Sequence, residues 1–154
     1  MAVHTVKLSE LADRLGAFTE SHLADLKKAT VNGLARSIPD LVAASPVDTG
    51  LYANSWAFTA DEEMAIIGNT APHAPIIEDG ARPFTPPIAP LLAWAKRVLK
   101  DSSQPPNYSP EVRGLAFGTR NKIAREGMQP RHILRNALPT IIANIEAEYR
   151  ALGR

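Results

Sequence analysis

Cysteine is missing from all 154 residues. Its absence excludes disulfides, thiol chemistry and thiolate metal sites, and it fits a cytosolic origin. No uncharged apolar run approaches the length of a bilayer span. A secretory leader is not expected either, because His4, Lys7, Glu10 and Asp13 stand where an apolar core would be required. The chain also lacks an internal repeat, a heptad series and a low-complexity tail. Charge of one sign is nearly absent as a bulk property: the net value is +1, which argues against wholesale wrapping in nucleic acid.

That small net charge conceals an uneven distribution. Residues 1–77 carry 5 basic and 9 acidic side chains, whereas residues 78–154 carry 12 basic and 7 acidic ones. Such an asymmetry points to one basic face, or to head-to-tail electrostatic contact between copies. The length and ordinary apolar content favour a single folded domain over residues 1–154, or a small core with extended arms.

Ser9 is placed to cap a long helix whose apolar stripe reads Leu11, Leu15, Phe18, Leu23, Leu26, Val31 and Leu34. Pro39 is expected to end or interrupt it. A helix this long in so small a chain reaches past its own core, which points to oligomerisation. A β-hairpin follows: Trp56 and Phe58 precede the acidic tip Asp61-Glu62-Glu63, and Met64, Ile66 and Ile67 come after it. Two strands alone make no stable sheet, so the hairpin must pack on helices or pair with neighbouring strands.

The middle is rich in proline, with 6 between Pro72 and Pro90 and 3 more between Pro105 and Pro110. These read as stiff connectors, giving proline-bounded loops around 71–90 and 101–109. Between them Ile88 to Lys100 has helical spacing. Ser109-Pro110-Glu111 opens another helix that ends near Gly127. A last helix starts around Pro130 and runs to Tyr149, with Pro139 expected to kink or interrupt it. The fold class is α+β: a long N-terminal helix, a small antiparallel sheet built around the hairpin, and further helices packed on it.

Catalytic chemistry finds little purchase. None of His4, His22, His73 and His132 has the one-turn spacing that puts two metal ligands on one helix face. His73 with Glu78 and Asp79 can be imagined as a metal site; the plainer reading is a loop histidine beside a solvated acidic turn. No nucleophile elbow and no phosphate-cradling glycine loop is present. No cofactor and no enzymatic activity is expected. The strongest charge feature is basic: Arg113, Arg120, Lys122, Arg125 and Arg131 succeed Lys96, Arg97 and Lys100. They either cover solvated helix faces and helix C-termini or contact phosphates without reading sequence.

The stretch SPVDTGLYANSW, Ser45 to Trp56, has the chemistry of a corner joining a long helix to the hairpin. Pro46 fixes the chain, Asp48 and Thr49 can bond nearby backbone, and Gly50 permits a conformation closed to other residues. Tyr52 and Trp56 then lead into the first strand.

This stretch resembles the proline–x–x–threonine–glycine corner of the HK97 gp10-like phage tail-component family. The resemblance continues at GNTAPHAPIIEDGARP, Gly68 to Pro83, with its acid and glycine at Glu78 and Gly80. It closes at IAREGMQPRHILRNALP, Ile123 to Pro139, with Gly127, Pro130, Ile133 and Ala137. The order of the three segments matches the family. His73, Asp79 and Ile133 depart from the residues common at those positions, and the Trp94 helix lengthens the middle. The resemblance implies a structural virion protein, similar in fold to tail terminators, that forms a ring (commonly a hexamer) on the tail tube and prepares it for head–tail joining. It implies a tail terminator or head-closure protein as the neighbouring alternatives. A non-specific DNA-binding accessory role for the basic helices of 96–135 stands outside it. Expected partners are further copies, the tail tube, the tail terminator and neck or connector proteins, with non-specific contact to genomic DNA and no membrane. The expected location is the virion tail or neck, reached from the host cytoplasm. An isolated subunit can be monomeric, since such rings often close only on their template. The expected interaction residues are Pro46, Asp48, Thr49, Gly50, Trp56, Phe58, Glu78, Asp79 and Gly80. Arg113, Arg120, Lys122, Arg125 and Arg131 are the candidates for facing DNA or a lumen.

Overall fold

A computed structural model of the chain describes residues 2–7, 9, 20–61 and 63–153. The first part of the expected N-terminal helix, with Leu11, Leu15 and Phe18, lies outside the described residues, as does Glu62 of the hairpin tip. The fold is α+β. Strands β1 (Ala2–Lys7), β2 (Trp56–Ala60) and β3 (Met64–Asn69) form an antiparallel sheet in the order β1-β3-β2. The helices are α1 (Glu20–Ala44), α2 (Ala74–Asp79), α3 (Ile88–Val98), α4 (Pro110–Glu126) and α5 (Ile133–Ala151).

The chain divides into two compact units. Unit 1 comprises residues 1–78 and 132–154, and unit 2 comprises residues 79–131. Unit 2 is therefore an insertion between the hairpin-bearing part of unit 1 and its last helix.

In unit 1, α1 packs along α5 and also covers β2. Leu26, Leu34 and Leu41 of α1 are buried against Ile141, Ile145 and Tyr149 of α5, with Trp56 and Ile67 from the sheet in the same cluster. The interval from Leu26 through Ala29, Leu34 and Leu41 keeps one face inward over successive turns. Leu23 and Val31, expected in that stripe, are each 41% exposed. Gly33 allows the two helices to approach: a Cβ there would lie 2.6 Å from the Ile145 Cα. Beside it, Ser37 donates to the Gly33 carbonyl at 2.7 Å and accepts from Asn144 Nδ2 at 2.9 Å, linking α1 to α5.

Pro39 does not end or interrupt its helix, and Pro139 does not interrupt its own. α1 continues through Pro39 to Ala44, and α5 continues through Pro139. Both prolines are exposed, and burial resumes just after them at Leu41 and Ile141. The lost hydrogen bond falls on the water side, while packing of the next turn holds the helix together.

The hairpin forms as the alternation indicates, with Trp56 opposite Asn69 and Phe58 opposite Ile67. Its sheet is completed from within the chain: β1 pairs with β3, setting Thr5 opposite Ile66. The stretch around 71–90 is not all loop, since α2 occupies Ala74–Asp79 and α3 begins at Ile88.

In unit 2, α3 packs on α4 around a small core of Ala95, Val112 and Ala116, bordered by Leu91, Leu92, Trp94 and Tyr108. Ser109 caps α4, its Oγ accepting from Val112 N at 3.3 Å, and Pro110 occupies the first turn. Gly127 at φ 75° ends the helix. The two chain segments at the base of the unit pair through Ala81 and Met128, whose amides and carbonyls exchange bonds of 2.9 and 2.8 Å. Gly80 and Gly127 both have φ 75° and lie against that pair, Gly80 facing the Met128 carbonyl and Gly127 the Ala81 carbonyl. A side chain at either position would be strained and would also collide with backbone.

Candidate functional site: the corner and its buried polar network

The corner leaves α1 through Ser45. The Ser45 hydroxyl donates to the Leu41 carbonyl at 2.6 Å and accepts from the Trp56 indole N–H at 2.8 Å. The end of the helix is thereby tied to the start of β2. Gly50 has φ 81° and its carbonyl accepts from Asn54 N at 2.9 Å, turning the chain into the short helical turn Ala53–Ser55. Thr49 Oγ1 accepts from Leu51 N at 3.4 Å.

Tyr52 is the centre of the arrangement. It is 3% exposed, meets Trp56 edge-on at 5.6 Å between ring centroids, and lies 5.9 Å from the His73 ring. Its hydroxyl donates to Glu78 Oε1 at 2.8 Å. Asn69 is fully buried; its Nδ2 donates to the Tyr52 carbonyl at 2.7 Å and its Oδ1 accepts from Ala71 N at 3.0 Å. Both ends of one amide side chain are used, which fixes how the hairpin returns towards α2.

Glu78 is 3% exposed, which corrects the expectation of a solvated acidic turn. Its two carboxylate oxygens each accept from Leu134 N at 3.2 Å, and its carbonyl accepts from His132 N at 3.2 Å. Leu134 lies in the first turn of α5, where amides have no partner inside the helix and the helix dipole favours negative charge. Glu78 therefore caps α5 from a distance of 56 residues. The Tyr52 hydroxyl and the Leu134 amide supply the donors that make burial of this acid tolerable. Asp79, by contrast, is exposed.

The Glu78 carboxylate is engaged by a hydroxyl and a backbone amide, so it is a cap and a staple. Among the described residues no group of three acidic, histidine or cysteine side chains is placed to hold a metal ion. No described helix is long and apolar enough to cross a membrane.

The expected interaction residues separate into two sets. Trp56 and Glu78 are interior, Phe58 is partly buried against the same core, and Gly80 is packed on Met128 and Pro130. Asp48, Thr49 and Asp79 are exposed, Gly50 and Pro46 half-buried. The corner's exposed large apolar side chains are Val47, 81% exposed, and Leu51, 53% exposed, neither of them expected as site residues. Ser45, Tyr52 and Asn69 were also unremarked as site residues, although an asparagine closing a strand is a recognisable turn signal.

The basic candidates do not share one stripe. On α4, Arg113 and Arg120 are two turns apart on one flank, and Arg120 Nε donates to the Pro86 carbonyl at 3.2 Å. Lys122 and Arg125 lie elsewhere around the helix, and Arg125 pairs with Glu126 at 2.7 Å. Arg131 is exposed in the segment before α5.

Comparison with family models, with characterised proteins and with solved structures gives no match for this chain.

Proposed function

We propose that this chain is a structural virion protein of a tailed bacteriophage, acting in assembly at the tail end or neck. The observation that supports it best is a convergence. The three segments that resemble the tail-component family are far apart in sequence, yet in the fold they meet. Tyr52 of the first donates to Glu78 of the second, and Glu78 accepts from Leu134 N in the first turn of α5, which begins in the third. Gly80 of the second segment packs on Met128 of the third. Motif residues that hold architecture together fit a scaffold better than an active site.

Assembly on repeated interfaces is the mechanism. In the order β1-β3-β2, the outer edge of β2 has no strand beside it among the described residues. β2 reads WAFTA, without the charge or proline that usually blunts an edge. Such an edge can take a strand from a neighbouring copy or from the tube end, and backbone hydrogen bonds then supply much of the affinity. Tail terminator and head-closure roles are the neighbouring variants of the same proposal. Contact with passing DNA is a second reading, favoured by one observation: unit 2 holds nine basic and four acidic residues.

Electron microscopy of the purified protein, alone and mixed with tail tubes and neck proteins encoded beside it, tests the assembly reading. A closed ring capping the tube end is the expected result. A persistent monomer that ignores every tail and head component, yet shifts duplex DNA at physiological salt, overturns it.

A further inference from the structure

Resting on the DNA-contact reading, we infer that unit 2 carries a binding track for single-stranded DNA, in which arginines hold phosphates and two phenylalanines stack on bases. Its residues, in spatial order, are Arg113, Phe117, Arg120, Phe84 and Arg82. On α4, Arg113, Phe117 and Arg120 follow one another at intervals of four and three, so they share one flank of the helix. The segment before α3 completes the line. Arg120 Nε donates to the Pro86 carbonyl at 3.2 Å, which lays that segment against the same flank. A Cβ on Gly127 would meet the Arg82 carbonyl carbon and the Pro83 nitrogen, both at 3.0 Å, so Arg82 lies beside the end of α4. Residues 82–86 therefore run back along the helix from its end towards Arg120, with Phe84 midway. From Arg113 to Gly127 the helix rises about 21 Å, the length of roughly six stacked nucleotides.

The chemistry of the line selects its occupant. Arg82 and Arg113 are exposed and form no ion pair among the described residues. The bond that fixes Arg120 is to a neutral carbonyl, so its charge stays uncompensated. Acids are kept off the line: Glu126 is taken up by Arg125, and Glu111 sits on the far side of the helix from Arg113. Three uncompensated guanidinium groups in a row call for a run of phosphates. Phe84 is 40% exposed and Phe117 44%, and these rings decide between a duplex and a single strand. A duplex keeps its base faces inside the stack, whereas unpaired bases offer theirs to aromatic rings and to arginine planes. The segment bearing Phe84 is pinned at both ends, by the Ala81–Met128 pair and by the Arg120–Pro86 bond, so little ordering is needed on binding. Unit 2 as a whole, with nine basic and four acidic residues, supplies a favourable field for approach.

Fluorescence anisotropy of the full chain with a labelled oligothymidylate, and with a duplex of the same length, over a salt series tests the track. The wild-type chain is expected to bind the single strand more tightly. Phe84→Leu with Phe117→Leu is expected to weaken single-strand binding about tenfold or more and to leave duplex binding unchanged. Arg82→Gln with Arg113→Gln should lower the salt slope for the single strand by about 1.4. A control pair, Lys122→Gln with Arg125→Gln, removes the same formal charge from other sides of α4 and should weaken binding far less. Single-strand binding no tighter than duplex binding, or unmoved by the phenylalanine changes, overturns the track and leaves the DNA-contact reading standing. Equal losses in the arginine and control pairs also overturn it, because bulk charge would then account for the binding. If neither nucleic acid binds at low salt, the track and the DNA-contact reading fall together, whereas ring formation on tail tubes decides the assembly reading separately.

Discussion

The Tyr52 hydroxyl donates to Glu78 Oε1 at 2.8 Å, joining the corner after α1 to the last turn of α2. Because the same carboxylate caps α5, one buried side chain ties three segments of unit 1 together. Removing its partner leaves an acid short of a donor; removing the acid orphans an amide and a hydroxyl. Tyr52→Phe is expected to cost about 1.5–3 kcal/mol, and Glu78→Ala somewhat more, because a bond to a charged group is lost or buried polar groups lose their partner. In a double-mutant cycle the pair should couple by about 1–2 kcal/mol. Unit 1 contains Trp56 and unit 2 contains Trp94, so urea unfolding of these variants in a Trp94→Phe background reads unit 1 alone. Additive effects would mean that the hydrogen bond contributes nothing.

Gly33 sets the spacing of α1 and α5. An added Cβ would lie 2.6 Å from both Ile145 Cα and Cγ1, and 2.7 Å from Ile145 N. Two of these atoms are backbone, so the helices must move apart. Gly33→Ala is expected to destabilise by about 1–3 kcal/mol despite its better helix propensity. Trimming the neighbour with Ile145→Ala should not rescue it. Thermal unfolding of the two single variants and the double variant decides; full recovery in the double would show that only the side chain was in the way.

Thr30 is fully buried in α1, and its Oγ1 has no hydrogen-bond partner among the described residues. Thr30→Val keeps the shape and removes the hydroxyl. It is expected to stabilise unit 1 by about 1 kcal/mol. Thr30→Ser keeps the hydroxyl and loses a methyl, so it should destabilise by about 1 kcal/mol. A Thr30→Val variant less stable than wild type in urea would indicate that the hydroxyl is satisfied in solution.

Local signals were the legible part of this fold. Ser109-Pro110-Glu111 and Gly127 bracket α4 because capping and termination need only neighbours. The hairpin was equally plain from its alternation. What stayed hidden depended on distant partners. β1 covers six residues, and its pairing with β3 is set by strand edges more than fifty residues apart. Glu78 beside Asp79 looks like a solvated pair until Leu134 N arrives from the far side of the insertion. Pro39 and Pro139 misled because propensity says nothing of the packing at Leu41 and Ile141 that carries each helix onward. Gly33 was a missed signal of another sort: a lone glycine in a helical pattern often marks a close approach.

Asp61 gives the hairpin a pH-dependent component. Its Oδ1 accepts from Glu63 N and Met64 N, both at 2.9 Å, while its own amide donates to the Met64 carbonyl at 2.9 Å. The two backbone bonds, from Glu63 and then Met64, hold its carboxyl below the ordinary aspartate value of 3.8, with Lys27 adding a small favourable charge. A carboxyl whose folded pKa is depressed binds its proton more readily in the unfolded chain. Its contribution is therefore fully present above the unfolded value and is lost as pH falls through the lower, folded one. Asp61→Asn retains an acceptor oxygen but does not titrate. Between about pH 4 and pH 2 the thermal midpoint of wild type should fall more steeply than that of the variant, whereas above pH 5 the two curves should run parallel. Curves that stay parallel down to acid would remove Asp61 from the account of the tip.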